Sequence, residues 1–203
     1  MKHLAQRLWE ARRDGTVIEP TESEGPKSDS EAYRLQREIA ELSGQEGRGF
    51  KVGATSALIQ QLLGTGEPVS GVLPASWVFD SPATVAVSPL HSPAIEGEFA
   101  FRLGRDLPSR TAPYRRAEVA DAVDAVAGAV EVVGSRVAGL GSLTSPVRII
   151  GDGAGNIALV TGAWHDNWLD LDLPRQPVAV RVNDAIRGKG DGAQALGDPI
   201  NVL

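Results

Sequence analysis

The feature that most constrains this chain is the density of its glycines and prolines, 23 and 13 among 203 residues. Glycine loses the most backbone freedom on folding and proline removes a backbone donor, so both punctuate regular structure. Little room is left for long helices. Aromatic residues are few, with four Phe, four Trp and two Tyr. The pattern predicts a β-rich or mixed fold of short strands and many turns rather than a helical bundle. A chain of this length makes one large domain or two small ones, and buries roughly two-thirds of its unfolded surface.

Charge and residue usage narrow the function. Twenty basic and 26 acidic residues give a net charge of −6. Nucleic acids and anionic membranes favour a basic footprint, so neither is the expected partner. No apolar run approaches the ~18 residues of a spanning helix. The chain has no cysteine, which excludes disulfides, thiolate nucleophiles and zinc–sulfur sites. Arg7, Glu10, Arg12 and Arg13 interrupt any signal-peptide pattern. A soluble, cytoplasmic protein is expected.

Residues 3–14 read as a helix with Leu4, Leu8 and Trp9 on one face and Gly15 as its stop. Ser28 with Glu31 forms a capping-box signature for a second helix reaching Gly44. Phe50–Gly53 reads as a strand, followed by a short helix capped by Thr55 or Ser56 and stopped at Gly64. Residues 95–103 form a strand candidate, and Arg105–Arg116 a polar loop. Val119, Val123 and Val126 give residues 118–128 a helical period, with a strand at Val130–Val133. Ile157–Thr161 and Val178–Asn183 are further strands, and Gly188–Gly192 reads as a glycine-rich loop. The expected division is a helical N-terminal part, 1–65, on a β-rich remainder, 66–203. The last residues, Asp198–Leu203, are apolar where termini are usually polar. A core incomplete at the C-terminus is therefore expected.

Glu96 and Glu98 carry the most chemical information. In a strand their side chains share a face, while Ile95, Phe99 and Phe101 take the other. Two anions held together repel, and burial raises their pKa values. A hard divalent cation relieves both effects. The plain alternative is a solvated strand face. Glu131 lies among four apolar neighbours in Ala-Val-Glu-Val-Val. It sits either on the wet face of an edge strand or within a site. Three carboxylates around one cation make an oxygen-only site suited to Mg²⁺ or Mn²⁺.

His91 is a further ligand candidate, although a lone histidine is more often structural. Lys51, between Phe50 and Val52, is placed to act as acid, base or carboxylate anchor, or simply to blunt a sheet edge. Arg102, Arg105, Arg110, Arg115 and Arg116 form a basic run that reads as a solvated loop. Gly151–Gly155 and Gly188–Gly192 match neither phosphate-loop pattern. They read as tight turns, with Asp152 able to face a site. No G-x-S-x-G elbow is present.

The same residues carry a family resemblance. Gly49-Phe-Lys-Val-Gly-Ala-Thr-Ser56, Gln61-Leu-Leu-Gly64, Glu67-Pro68 and Gly71-Val-Leu73 occur in order. Pro93–Pro108, with Ile-Glu-Gly-Glu-Phe-Ala-Phe inside it, follows. Ala129–Arg136, Gly188–Gly190 and Leu196–Pro199 complete the series. Together these resemble the 2-keto-4-pentenoate hydratase and 4-oxalocrotonate decarboxylase family of the fumarylacetoacetate hydrolase superfamily.

The resemblance implies an α+β fold with a mixed β-roll core and peripheral helices, a divalent metal, and a homo-oligomer. It implies Glu96, Glu98 and Glu131 as metal ligands and Lys51 as a substrate-side or acid/base residue. Asp152 matches the aspartate of a family Ala-Asp-Asn pattern, and Gly153 replaces its asparagine. Lys51 and Asp152 are thus the catalytic candidates. The implied reaction is hydration of a 2-hydroxy-2,4-dienoate to a 4-hydroxy-2-keto acid, in catabolism of aromatic-ring cleavage products. The alternatives are a 2-keto acid decarboxylase, an acylpyruvate hydrolase, or a non-catalytic partner subunit.

Overall fold

The computed structural model describes residues 1–139 and 145–203. Helices α1 (Lys2–Asp14) and α2 (Asp29–Leu42) form where expected. Gly15 ends α1 with a left-handed φ of 68°, a conformation open to glycine because it lacks Cβ. Ser28 accepts from the Glu31 amide and caps α2. The returning Glu31 carboxylate takes the Lys27 amide rather than that of Ser28. Leu4 and Leu8 of α1 pack with Leu35 and Ile39 of α2 and with Trp77 and Val137.

Strand β1 (Gly47–Gly53) pairs antiparallel with β2 (Val69–Pro74), and the short helix α3 (Ala57–Leu63) connects them. Ser56 caps α3 and Gly64 terminates it. The main sheet has four strands in the order β3, β6, β5, β4. They are β3 (Val78–Asp80), β4 (Ala94–Leu103), β5 (Val123–Val133) and β6 (Asn156–Thr161). The β3–β6 pair is parallel and the others antiparallel, so the sheet is mixed. A separate hairpin joins β7 (Pro177–Val182) to β8 (Ala185–Asp191). Its Val178 and Val180 lie against Gly97, where an added Cβ would come within 3.0 Å of Val178.

Two sequence readings are corrected. Helix α4 is only Arg116–Ala120, and Val123 onward is one 11-residue strand rather than a helix running to Gly128. Pairing with the ten residues of β4, from Leu103↔Val123 to Ala94↔Val133, overrides the local helical period. Gly188–Gly190 lies inside β8, held by pairing with β7, so that stretch is a strand and not a loop.

The two faces of β4 and β5 differ in chemistry. Phe101 meets Trp168 edge-on at 6.4 Å, and both join Val123, Val126 and Leu173 in an apolar cluster. The opposite face carries the glutamates. It is approached by β1 and by the turn 152–156, between α5 (Pro146–Gly151) and β6. Buried Gln36 ties α2 to this side. Its amide donates to the Ser70 and Ile150 carbonyls at 2.9 and 2.7 Å and accepts from the Val72 amide at 3.0 Å. Among the described residues, no helix is long and apolar enough to cross a membrane.

Candidate metal centre

Strand register builds the site. Glu96 stands directly opposite Glu131, and Glu98 opposite Ala129. Period-two alternation then puts all three carboxylates on one face. Each offers an oxygen within 4.8 Å of the others. Glu131 is only 2% exposed, Glu98 is half-buried and Glu96 is open to solvent.

Lys51 completes the group from β1. The strand turns Phe50 outward, at 72% exposure, and buries Lys51. This inverts the usual alternation, as expected where a site overrides packing. Lys51 Nζ lies 3.2 Å from Glu131 Oε2 and donates to the Ala154 carbonyl at 3.0 Å. The turn presenting that carbonyl is unusual. Gly153, Ala154 and Gly155 all have positive φ, at 71°, 52° and 78°. For Ala154 this is a strained backbone.

Gly71, paired with Lys51 across β1 and β2, makes room for the turn. A Cβ there would lie 2.5 Å from the Gly153 oxygen and 3.0 Å from Lys51 Cγ. Because the first contact is backbone, it cannot swing away. Gly71→Ala is expected to cost about 1–3 kcal/mol and to displace Lys51. The check is thermal melting together with activity, both of which should fall.

The electrostatics are those of an under-compensated anion cluster. Burial pushes the Glu98 carboxyl up to about 7, with Glu131 and Glu96 adding to the shift and Lys51 opposing it. Burial also pushes Glu131 up, against the pull of Lys51 and Asn156. This has a measurable sign. Between its ordinary value of 4.5 and about 7, Glu98 is protonated when folded and ionised when unfolded. The folded state then holds more protons, so stability falls as pH rises. In EDTA, the melting temperature should decline towards pH 7 through this group and level off above it. Glu98→Gln should flatten that decline, and an unchanged profile would contradict the assignment.

Asp152 is not brought into this cluster. Its Oδ1 accepts from Arg136 Nε at 2.8 Å, and its Oδ2 from the Arg136 amide at 2.9 Å and Ser135 Oγ at 3.2 Å. Arg136 also donates to the Asp152 and Asn156 carbonyls. The pair is a buried clamp on the 152–156 turn, with Arg136 2% and Asp152 4% exposed. His91 is buried away from the glutamates, with Nε2 2.7 Å from the Thr16 carbonyl. The arginine run is a salt-bridged surface. Arg102 meets Asp124 and Asp166, Arg110 and Arg115 share Glu118, Arg105 approaches Asp121, and Arg116 meets Asp198.

Sequence reasoning missed Arg12, Arg136 and Asn156. Arg12 stacks on Trp77, 3.2 Å from the ring centroid, and donates to the Asn156 and Ile157 carbonyls. Asn156 Nδ2 donates to Glu131 Oε1 at 2.8 Å. Nothing in the local sequence marks these contacts, which span 16 to 145 positions.

Three carboxylates clustered on one face of the mixed sheet, with a buried lysine brought against them from the β1–β2 pair, define a site of the class that holds a hard divalent cation. No family model matches the chain. It is 34% identical to 2-keto-4-pentenoate hydratase of Paraburkholderia xenovorans (strain LB400), over all of this chain and 75% of that protein. Two solved structures of 4-oxalocrotonate decarboxylase from Pseudomonas putida G7 are also similar. One is complexed with magnesium and adipate, at a TM-score of 0.85, and the other with calcium and acetate, at 0.84. Both are 25% identical and match 98% of this chain, covering 76% and 75% of theirs. The chain belongs to the 2-keto-4-pentenoate hydratase family.

Proposed function

We propose that this chain is a divalent-metal-dependent hydratase. It adds water to a 2-hydroxy-2,4-dienoate of the 2-keto-4-pentenoate type, giving a 4-hydroxy-2-keto acid in catabolism of aromatic-ring cleavage products. The observation that carries the reading is the meeting of Glu96, Glu98 and Glu131 beside Lys51. We extend it to a mixed β-roll core of the fumarylacetoacetate hydrolase type, and to a cytoplasmic homo-oligomer whose size light scattering would give.

The donor set fits Mg²⁺ or Mn²⁺. It is all oxygen, and one lysine leaves three carboxylates under-neutralised. Glu96, Glu98 and Glu131 would hold the cation. When bound, it supplies Lewis acidity towards the carboxylate and adjacent enol oxygen of a small acid.

The other work falls to the chain. An ammonium has three N–H donors. Lys51 directs Nζ at Glu131 and at the Ala154 carbonyl, and the third donor is assigned to a substrate oxygen. From there Lys51 holds the substrate carboxylate or passes a proton as the dienol becomes the keto form. That shift conjugates the distal alkene to a carbonyl, and water adds to it. Asp152 acts at one remove, by clamping the turn that presents the Ala154 carbonyl.

The test follows ultraviolet absorbance of freshly made 2-hydroxypenta-2,4-dienoate with Mg²⁺ and then with EDTA. Metal-dependent loss yielding a 4-hydroxy-2-keto acid is expected. No loss in either condition would reject the hydratase in favour of the decarboxylase, hydrolase or partner-subunit readings.

A further inference from the structure

Asn156 opens β6 with its side chain wholly inside the protein, at 0% exposure. Its two amide atoms are used unequally. Nδ2 donates to Glu131 Oε1 at 2.8 Å, and among the described residues the buried Oδ1 has no partner. A carboxylate accepts only from the nitrogen, which fixes the amide's orientation. The residue's backbone is also held. Its carbonyl receives Arg12 Nη1 at 2.7 Å and Arg136 Nη1 at 2.8 Å.

An orphaned buried oxygen costs stability, and a purely structural position has no reason to keep it. The other half of the amide must therefore contribute something packing does not need. Glu131 supplies the reason. One of its oxygens is held by Asn156 and the other by Lys51. A neutral donor fixes the carboxylate's orientation without adding positive charge that would repel a cation.

We infer that Asn156 is a positioning residue for the metal centre, aiming the Glu131 carboxylate through its Nδ2. The inference rests on the three-glutamate reading above. It predicts a dissociation between metal affinity and fold stability. Asn156→Leu keeps the branched heavy-atom skeleton, with bulkier methyl groups, and removes both the donor and the orphaned oxygen.

Mn²⁺ binding to the full chain is measured by electron paramagnetic resonance or calorimetry, alongside melting in EDTA. Mn²⁺ affinity should fall roughly 10–100-fold, the usual effect of removing a group that orients a ligand. The melting temperature should change little by comparison, because the donor lost to Glu131 is set against removal of the orphaned oxygen. Unchanged Mn²⁺ affinity with a lowered melting temperature would overturn the inference and make Asn156 a packing residue. If Asn156→Leu fails to fold, Asn156→Ser carries the same comparison, its hydroxyl being too short to reach Glu131. Failure of the unaltered chain to bind Mn²⁺ would overturn the inference together with the metal reading. Normal binding by both chains would overturn the inference alone.

Discussion

Replacing Glu98 by glutamine should abolish tight divalent-metal binding and turnover together. Glutamine keeps the shape of the side chain and removes one anionic oxygen from the three that converge within 4.8 Å. Changing a group that merely orients a ligand already costs 10–100-fold in affinity, so loss of a ligand should cost at least about 100-fold. Glu98 is the cleanest choice of the three. Glu131→Gln would also strip Lys51 of its carboxylate partner, confusing metal loss with a broken buried pair. The measurements are Mn²⁺ affinity and kcat/KM across a Mg²⁺ titration. Activity should recover partly at high Mg²⁺. Full activity of the unaltered chain in EDTA would remove the metal from the mechanism.

Arg136→Met should be the most destabilising single change. Arg136 and Asp152 are both buried, and the guanidinium makes three side-chain hydrogen bonds, to the Asp152 carboxylate, the Asp152 carbonyl and the Asn156 carbonyl. Removing the arginine leaves a buried anion without its counter-charge. Such losses cost about 3–5 kcal/mol. For a chain of this size, that lowers the melting temperature by roughly 6–20 °C. The double variant Arg136→Met with Asp152→Leu should recover part of the loss, because no unpaired charge remains. Recovery should be incomplete, since the Asp152 carbonyl loses its Arg136 donor and the Asn156 carbonyl keeps only Arg12. A single variant that melts like the unaltered chain would show that the clamp carries no stability.

The parts of the molecule governed by local rules were legible in the sequence. Gly15, Ser28, Ser56 and Gly64 act at the helix ends read from them. The alternation of Glu96 and Glu98 with Ile95, Phe99 and Phe101 gave the two faces of β4, because side-chain period in a strand is fixed by backbone geometry. The parts governed by pairing were not. Residues 123–128 carry a helical spacing of valines and become strand only because β4 lies beside them. Gly188–Gly190 has the composition of a loop and is straightened by β7.

The site divides the same way. Glu96, Glu98, Glu131 and Lys51 stood out as charges in apolar runs. Which of Phe50 and Lys51 faces inward depends on what covers β1, and that is set by residues 153–155, about a hundred positions away. Asn156, Arg12 and Arg136 have no local signature, because each acts on a backbone or side-chain group brought near only by the fold.

The most direct test of the three-glutamate centre is anomalous diffraction from crystals of the full chain grown with Mn²⁺. A single strong peak is expected, bonded to carboxylate oxygens of Glu96, Glu98 and Glu131, with Lys51 Nζ beside it and outside the coordination shell. A map with no peak there, or with the ion held by other residues, would contradict the three-glutamate centre.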